Sequence, residues 1–489
     1  MSIKNKVQLI TYPDSLGGDI KAIGENLSKH FADCFDGGIH ILPPFPSTGD
    51  RGFAPTTYDR IAPRFGSWQD VKKLGETYDI MIDIMINHIS RQSEQFQDFL
   101  ARGNESDYAD LFITLDKVWP AGIPKQEEVD KIFLRRSTPF STYPLASGGE
   151  VTVWTTFGQD DPSEQVDLDM TSPIGKEFIE KIFSRLEEHN ITQVRMDAIG
   201  YITKKRGTNC FYVEPEIHQL LAELKAMAGR FNIEILPEIH ADQSILRDLE
   251  ERGFWVYDFV LPYMVLQSIL LKDGNELKKY LNNRPHNQFT MLDCHDGIPV
   301  LPDLKGNLDF DKAREVVEIC VSRGANISRI LSCDGKGEDG FDVHQINGTF
   351  YSMVGADDAA YLAARALQLF TPGIPQVYYE GLLAGENDYE SMTAQKDGRA
   401  INRHNYSNEE IQGQAQRKVV KNLLELLRFR NQHKAFDGDF VVLPSPDSVI
   451  LLEWRKNNDY CQLQIDLEKG EAMVQYSDEK GEIRHKSFT

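Results

Sequence analysis

Eight short runs, each apolar on both faces and each followed by a helical pattern, set the architecture of this 489-residue chain. They are Val7-Gln8-Leu9-Ile10, Gly38-Ile39-His40-Ile41-Leu42, Ile80-Met81-Ile82-Asp83-Ile84-Met85, Thr192-Gln193-Val194-Arg195, Ile233-Glu234-Ile235-Leu236, Trp255-Val256-Tyr257-Asp258-Phe259, Phe289-Thr290-Met291-Leu292 and Pro375-Gln376-Val377-Tyr378. Runs this short, with no polar face and with Gly or Pro at their bounds, suit parallel strands covered on both sides. Between them, Phe178, Ile179, Ile182, Phe183 and Leu186 recur at helical spacing behind a Ser172-Pro173 start. Leu220, Leu221, Leu224 and Ala228 stripe the next helix in the same way. The pattern predicts an α/β fold, a (β/α)8 TIM barrel assembled from residues 1–88, 167–296 and 356–436.

Two stretches interrupt the rhythm. Residues 89–166 follow the third strand, contain Trp119-Pro120, Gly148-Gly149 and Asp161-Pro162, and are expected to form an inserted domain. Residues 297–355 follow the seventh strand and are expected to form a second one. Their polar run Cys333-Asp334-Gly335-Lys336-Gly337-Glu338-Asp339-Gly340 reads as a mobile loop. From 437 to 489 the pattern turns to strands, Phe440-Val441-Val442-Leu443, Val449-Ile450-Leu451-Leu452 and Cys461-Gln462-Leu463-Gln464-Ile465, which predicts a small C-terminal antiparallel β domain.

Composition narrows the classes of function. No uncharged apolar run approaches the roughly 20 residues that span a bilayer, and Met1-Ser2-Ile3-Lys4-Asn5-Lys6 leads into a strand without a signal-peptide core, so a cytoplasmic protein is expected. The six cysteines are scattered, none in a CxxC pair, and read as reduced, packed thiols. A formal charge of -22 argues against nucleic acid and against an acidic membrane face. The partners expected are small-molecule substrates, with the chain a monomer or homodimer, and any anionic substrate must meet a local basic cluster.

In barrels of this kind the active site lies at the C-terminal ends of the strands. There the chain carries Asp83 with Asn87-His88, then Arg195-Met196-Asp197, then Pro237-Glu238, then Asp293-Cys294-His295-Asp296. Any one strand-terminal Asp reads as a helix cap or a loop hydrogen-bonder. Four loaded ends together read as an active site. Three carboxylates, Asp197, Glu238 and Asp296, are expected to converge there. Paired carboxylates suit glycosidic chemistry, because one must ionise to attack while another holds a proton for the leaving oxygen. Arg195 shares a strand face with Asp197 and would favour its ionised form.

Asp83-Ile84-Met85-Ile86-Asn87-His88, Arg195-Met196-Asp197-Ala198, Glu238 and His295-Asp296 resemble, in order and spacing, the four signature regions of the α-amylase family. The resemblance implies that Asp197 is the nucleophile, Glu238 the acid/base and Asp296 a transition-state stabiliser, with His88, Arg195 and His295 binding the glucosyl unit. Cys294 departs from the Asn that many members carry. Gln8-Leu9-Ile10-Thr11-Tyr12-Pro13-Asp14, Ile41-Leu42-Pro43-Pro44-Phe45-Pro46, Gly373-Ile374-Pro375-Gln376-Val377-Tyr378-Tyr379, Gly398-Arg399 and Ile401-Asn402-Arg403-His404 extend the likeness to the family's sucrose phosphorylase group. In that group Asp50 and Arg399 resemble the pair that closes the glucose pocket, and Phe53 and Tyr201 would pack on the sugar faces. The group implies no metal and no other cofactor.

A phosphorylase must hold phosphate beside a glucosyl ester and exclude water. Leu134-Arg135-Arg136-Ser137 offers guanidiniums, whose planar fork suits phosphate, and the group's pattern favours Arg135. In Gly340-Phe341-Asp342-Val343-His344-Gln345-Ile346-Asn347 the position of His344 is typically a loop tyrosine in plain sucrose phosphorylases. Histidine there resembles the members that act on sucrose 6'-phosphate. His344, Arg135 and Lys336 would then bind phosphate, and Asp342 and Gln345 would contact fructosyl hydroxyls. Two charge-assisted hydrogen bonds of roughly 1.5–3 kcal/mol each would favour a phosphorylated donor about a hundredfold or more. The rival readings are a phosphorylase of sucrose, glucosylglycerol or glucosylglycerate, a simple α-glucosidase, and an amylase-like binding protein that has lost its carboxylates.

Overall fold

Each of the eight apolar runs is a strand: β1 (Gln8–Thr11), β2 (Gly38–Ile41), β3 (Ile80–Met85), β4 (Gln193–Asp197), β5 (Glu234–Pro237), β6 (Val256–Asp258), β7 (Gln288–Thr290) and β8 (Ile374–Tyr378). The computed structural model describes residues 3–331, 337 and 340–488. The strands share one eight-stranded sheet in the order β6-β7-β8-β1-β2-β3-β4-β5, which is chain order taken cyclically, as the expected barrel requires. Burial along nearly every strand position explains why none of them alternates. The parallel register sets Asp83 against Arg195 and Met85 against Asp197 across β3 and β4. Across β4 and β5 it sets Arg195 against Leu236 and Met196 against Pro237.

The described chain divides into two compact units, one of Ile41–Ile239 with Leu331, the other of 3–40, His240–Ile330, 337 and 340–488. In the first, the helix Pro173–Glu188 starts as its sequence predicts, with the Ser172 side chain accepting from Gly175 N–H and Pro173 in the first turn. It buries Ile179, Ile182, Phe183 and Leu186. The segment after β3 opens and closes on a short ladder, His88–Ser90 antiparallel to Gln165–Asp167. Within this unit Trp119 and Trp154 stack 5.6 Å apart at 3°, in a small core with Ile113, Ile132 and Cys210.

In the second unit the segment after β7 forms a three-stranded sheet of Ile298–Pro299, Val343–Asn347 and Asn326–Arg329. Here the structure corrects the sequence reading: His344 and Gln345 lie on a buried strand, not on a loop. Antiparallel partners on both sides hold it there, Ile298–Pro299 and Asn326–Arg329. Residues 332–336 and 338–339, with Lys336 and most of the expected mobile loop, lie outside the described residues. The C-terminal sheet has five antiparallel strands. Three were legible, and Glu471–Ser477 and Ile483–Ser487 are added to them. The Trp454 indole N–H ties this sheet to the Phe370 carbonyl at 2.7 Å. Among the described cysteines, Cys34, Cys210, Cys294, Cys320 and Cys461 are in no disulfide, and burial pushes the Cys34 and Cys320 thiols up to about 12.

Just past β8, Glu380 is buried, with the Tyr406 hydroxyl donating to it at 2.7 Å and the His404 N–H at 2.5 Å. Burial pushes its pKa up to about 8 against those two bonds. In an unfolded chain a Glu has a pKa of about 4.3. Between those values the native state binds the extra proton, so stability falls as pH rises and levels off once both states have lost it. Glu380→Gln is expected to remove this slope. Urea unfolding from pH 5 to pH 8 should show the wild type losing stability relative to the variant, and parallel profiles would contradict the assignment.

Candidate active site

One guanidinium holds the first pair of carboxylates. Arg195, 4% exposed inside β4, donates from Nη1 to Asp197 Oδ1 at 2.9 Å and also to Asp83. Its Nη2 lies 3.4 Å from Glu238 Oε1. The register produces this arrangement: Asp83 sits opposite Arg195 on β3, Asp197 is two residues on, and β5 ends at Pro237. Ala198, in the left-handed region at φ 54°, turns its N–H onto Glu238 Oε2 at 2.9 Å. An L-residue adopts that backbone at a cost of roughly 1 kcal/mol or more, so the neighbouring contacts must hold it. The Tyr58 hydroxyl donates to the Met85 carbonyl and accepts from the Met85 N–H, both at 3.0 Å, which pins the end of β3.

The sugar-binding candidates of this unit lie nearby in chain and space. Burial lowers the pKa of His88, which keeps its imidazole neutral, and its Nε2 is 2.9 Å from the Phe53 carbonyl, so Nε2 carries the proton. The Phe53 ring is buried and faces the Arg195 guanidinium at 5.9 Å. Tyr201 sits on the short turn Ile199–Tyr201 with its ring against Phe157 and Phe211, at 5.1 and 4.9 Å. Arg135 lies over the Phe157 ring at 5.8 Å. Arg135 and Tyr201 line one small hollow with Phe133, Leu134 and Thr156. Arg136 instead bonds Ser141, Thr155 and the Asp160 carbonyl at 3.1, 3.1 and 2.8 Å, and so braces its own loop. Asp50 opens the turn Asp50–Gly52, and its side chain lies outside the described atoms.

Lys204 is a residue the sequence reading missed. Its side chain is 2% exposed, and its ammonium meets Asp167 at 2.8 Å, Asn87 Oδ1 and Thr156 Oγ1 at 3.0 Å each, and the Tyr201 carbonyl. One cation thereby joins the chain after β3, the inserted segment and the turn that carries Tyr201. Nothing local marks it, since its partners lie 37 or more positions away apart from Tyr201.

In the second unit Asp296 is surrounded by cations. Arg399 Nη1 is 3.2 Å from Oδ1, Arg403 Nη2 3.6 Å from the same oxygen, and His295 Nε2 3.5 Å from Oδ2. Burial alone would raise its pKa, but His295, Arg399, Arg403 and His240 outweigh that and hold the carboxyl well below the usual range. The Asn402 amide donates to the Cys294 and Asp296 carbonyls at 3.1 and 3.0 Å and fixes the backbone of this segment. Upstream, Asp293 is paired with the buried Arg365 at 2.6 Å. The imidazole of His344 donates from Nδ1 to the Leu301 carbonyl at 2.6 Å. Gln345 faces Pro299 and Ser328 in the ladder, and Asp342 accepts from Arg329. Cys294, His295 and Asp296 also bring three potential metal donors within 4.8 Å. The arginines on Asp296 compete with any ion there.

Residues 11–249 match the family described as alpha amylase, catalytic domain. The chain belongs to the α-amylase family. It is 54% identical over 483 residues to sucrose 6(F)-phosphate phosphorylase of Thermoanaerobacterium thermosaccharolyticum, covering 99% of each chain. It is 44% identical over 461 residues to a sucrose phosphorylase of Streptococcus mutans, covering 94% of each. The crystal structure of sucrose 6F-phosphate phosphorylase from Thermoanaerobacter thermosaccharolyticum matches with a TM-score of 0.98 at 54% identity, over 100% of this chain and 99% of that one.

Lys204→Met leaves Asp167 as a buried carboxylate without its cation. A loss of about 3–5 kcal/mol is expected, read as a lower urea midpoint. An unchanged midpoint would remove Lys204 from the support of this region.

Proposed function

We propose that this chain is a retaining phosphorylase that converts sucrose 6'-phosphate and inorganic phosphate to α-D-glucose 1-phosphate and fructose 6-phosphate. The observation that carries the chemistry is Arg195 bonded to Asp197 and close to Glu238, 2.9 and 3.4 Å away. The donor is supported by the 54% identity to a sucrose 6(F)-phosphate phosphorylase over 99% of the chain.

The reaction runs by double displacement. The Asp197 carboxylate attacks the anomeric carbon while Glu238 gives its proton to the departing fructosyl oxygen, which leaves a glucosyl ester on Asp197. A phosphate oxygen then attacks the same carbon, Asp197 leaves as carboxylate, and Glu238 takes up the proton the phosphate sheds. Two inversions give net retention. Asp296 serves the same glucosyl unit: its ionised carboxyl opposes the positive charge that builds on the ring. His88, Arg195 and His295 hold the glucosyl hydroxyls, Phe53 and Tyr201 cover the ring faces, and Asp50 with Arg399 limits the pocket to one sugar. Arg135, His344 and Lys336 bind phosphate, and Asp342 and Gln345 read the fructosyl hydroxyls. Every step is assigned to side chains, with no metal or cofactor. No helix among the described residues is long and apolar enough to cross a membrane. A cytoplasmic monomer or homodimer fits such sugar-phosphate substrates.

Glucose 1-phosphate release should depend on phosphate, and kcat/KM should favour sucrose 6'-phosphate over sucrose by about a hundredfold, the worth of two charge-assisted bonds. A larger constant for sucrose overturns the donor, and phosphate-independent donor consumption overturns the reaction class. His344→Tyr should cut that preference by about tenfold, as one such bond would. An unaltered preference would take His344 out of the phosphate site.

A further inference from the structure

The turn that follows Ile298–Pro299 supports two imidazoles at once. Its Leu301 carbonyl accepts from His344 Nδ1 at 2.6 Å. Two residues on, the oxygens of Asp303 lie 3.1 and 3.2 Å from His240 Nδ1. The Val300 N–H bonds the His344 carbonyl at 2.9 Å, so the turn and the His344 strand move together. His240 is stacked on Phe259 at 4.1 Å and 20°, which fixes its ring plane, and its centroid is 6.2 Å from that of His344.

Asp303 is 0% exposed. A carboxylate at that depth requires a compensating cation, and His240 in its charged form supplies one. The charged groups near His240 within this unit include Asp303 and Asp296, with the His344 ring beside it. His240 is in turn among the groups that lower the Asp296 pKa. Because Nδ1 of each ring is directed at the turn, any bond either makes to an anion runs through Nε2. With Nδ1–H given to the Leu301 carbonyl, His344 donates from Nε2 only as a charged ring, the form that a neighbouring phosphate dianion favours; the two charged rings then suit that dianion, whose oxygens accept charge-assisted bonds of about 2.7–2.9 Å.

We propose that Asp303 is a positioning residue for phosphate selectivity: it orients His240 as an imidazolium beside His344, and the two rings together receive the phosphate of the fructosyl group. The proposal rests on the function given above and adds to it a residue that touches no substrate itself. Sucrose lacks the phosphate, so this device discriminates between donors and leaves the bond-breaking groups as they are.

Asp303→Asn keeps an oxygen for Nδ1 and removes the charge. The ratio of kcat/KM for sucrose 6'-phosphate over sucrose should fall about tenfold, through KM for the phosphorylated donor, as loss of one charge-assisted bond predicts. His240→Gln should give a similar fall, and the double variant no further one, since both changes remove the same interaction. A wild-type ratio far above one with no fall in Asp303→Asn overturns the role of Asp303 and leaves the donor assignment standing. A wild-type ratio below one overturns both. Should Asp303→Asn fail to fold, product inhibition of His240→Gln decides: fructose 6-phosphate should lose its advantage over fructose, and a retained advantage refutes the proposal.

Discussion

A single buried guanidinium, that of Arg195, is the constraint on which the catalytic end of the barrel depends. It meets Asp83, Asp197 and Glu238 together. Of these three acids, Glu238 also accepts from the Ala198 N–H. Asp197 keeps some exposure, with 15% of its side chain open, whereas Asp83 has none. Asp83 is therefore the structural partner and Asp197 the one able to meet a substrate. A lysine could not replace this arginine, because a compact ammonium lacks the planar fork that spans three acceptors in fixed directions. The parallel register across β3, β4 and β5 delivers those acceptors.

The second unit balances its acids with more than one guanidinium. Around Asp296 stand Arg399 and Arg403, which it shares with Asp397, and the His295 ring, all within 3.6 Å. A chain of net charge -22 repels anions at long range, and screening confines that repulsion to about 8–10 Å at physiological salt. Inside that distance a handful of oriented cations decides whether a phosphorylated sugar can be held. Under the proposed function His240 and His344 are assigned that task within their unit; His344 is 5% exposed, and a charge-assisted bond made at such depth is worth more than on the surface.

The eight strands were legible because burial on both faces leaves a short, unbroken apolar run that needs no knowledge of partners. The positions of Asp197 and Glu238 were legible for a related reason: strand ends fall at predictable places, and these two acids stand at and just past the ends of β4 and β5. The strands Glu471–Ser477 and Ile483–Ser487 were not, since Glu471, Gln475, Arg484, His485 and Lys486 dilute their apolar pattern at an exposed sheet edge. His344 was expected on a loop because its position in plain sucrose phosphorylases is typically a loop tyrosine, while the strands that flank it come from 298–299 and 326–329. Lys204, Asp303 and the Arg365–Asp293 pair were invisible altogether. Each depends on a partner 37 to 72 positions distant, and a lone Lys, Asp or Arg in a sequence carries no mark of its partner.

Chemistry and donor choice are written on different parts of the chain. The proposed nucleophile and acid/base, Asp197 and Glu238, sit at the ends of β4 and β5, where the register fixes them. The groups assigned to the fructosyl phosphate sit on the inserted segments, on Val343–Asn347 and the turn through Leu301 and Asp303. Because about 1.4 kcal/mol is a tenfold change in specificity, two or three side chains on those segments suffice to move a barrel of this kind from a neutral donor to an anionic one. The barrel itself need not change. A buried carboxylate that holds one histidine ready is a small addition to that machinery, and it acts where the substrate differs rather than where the bond is broken.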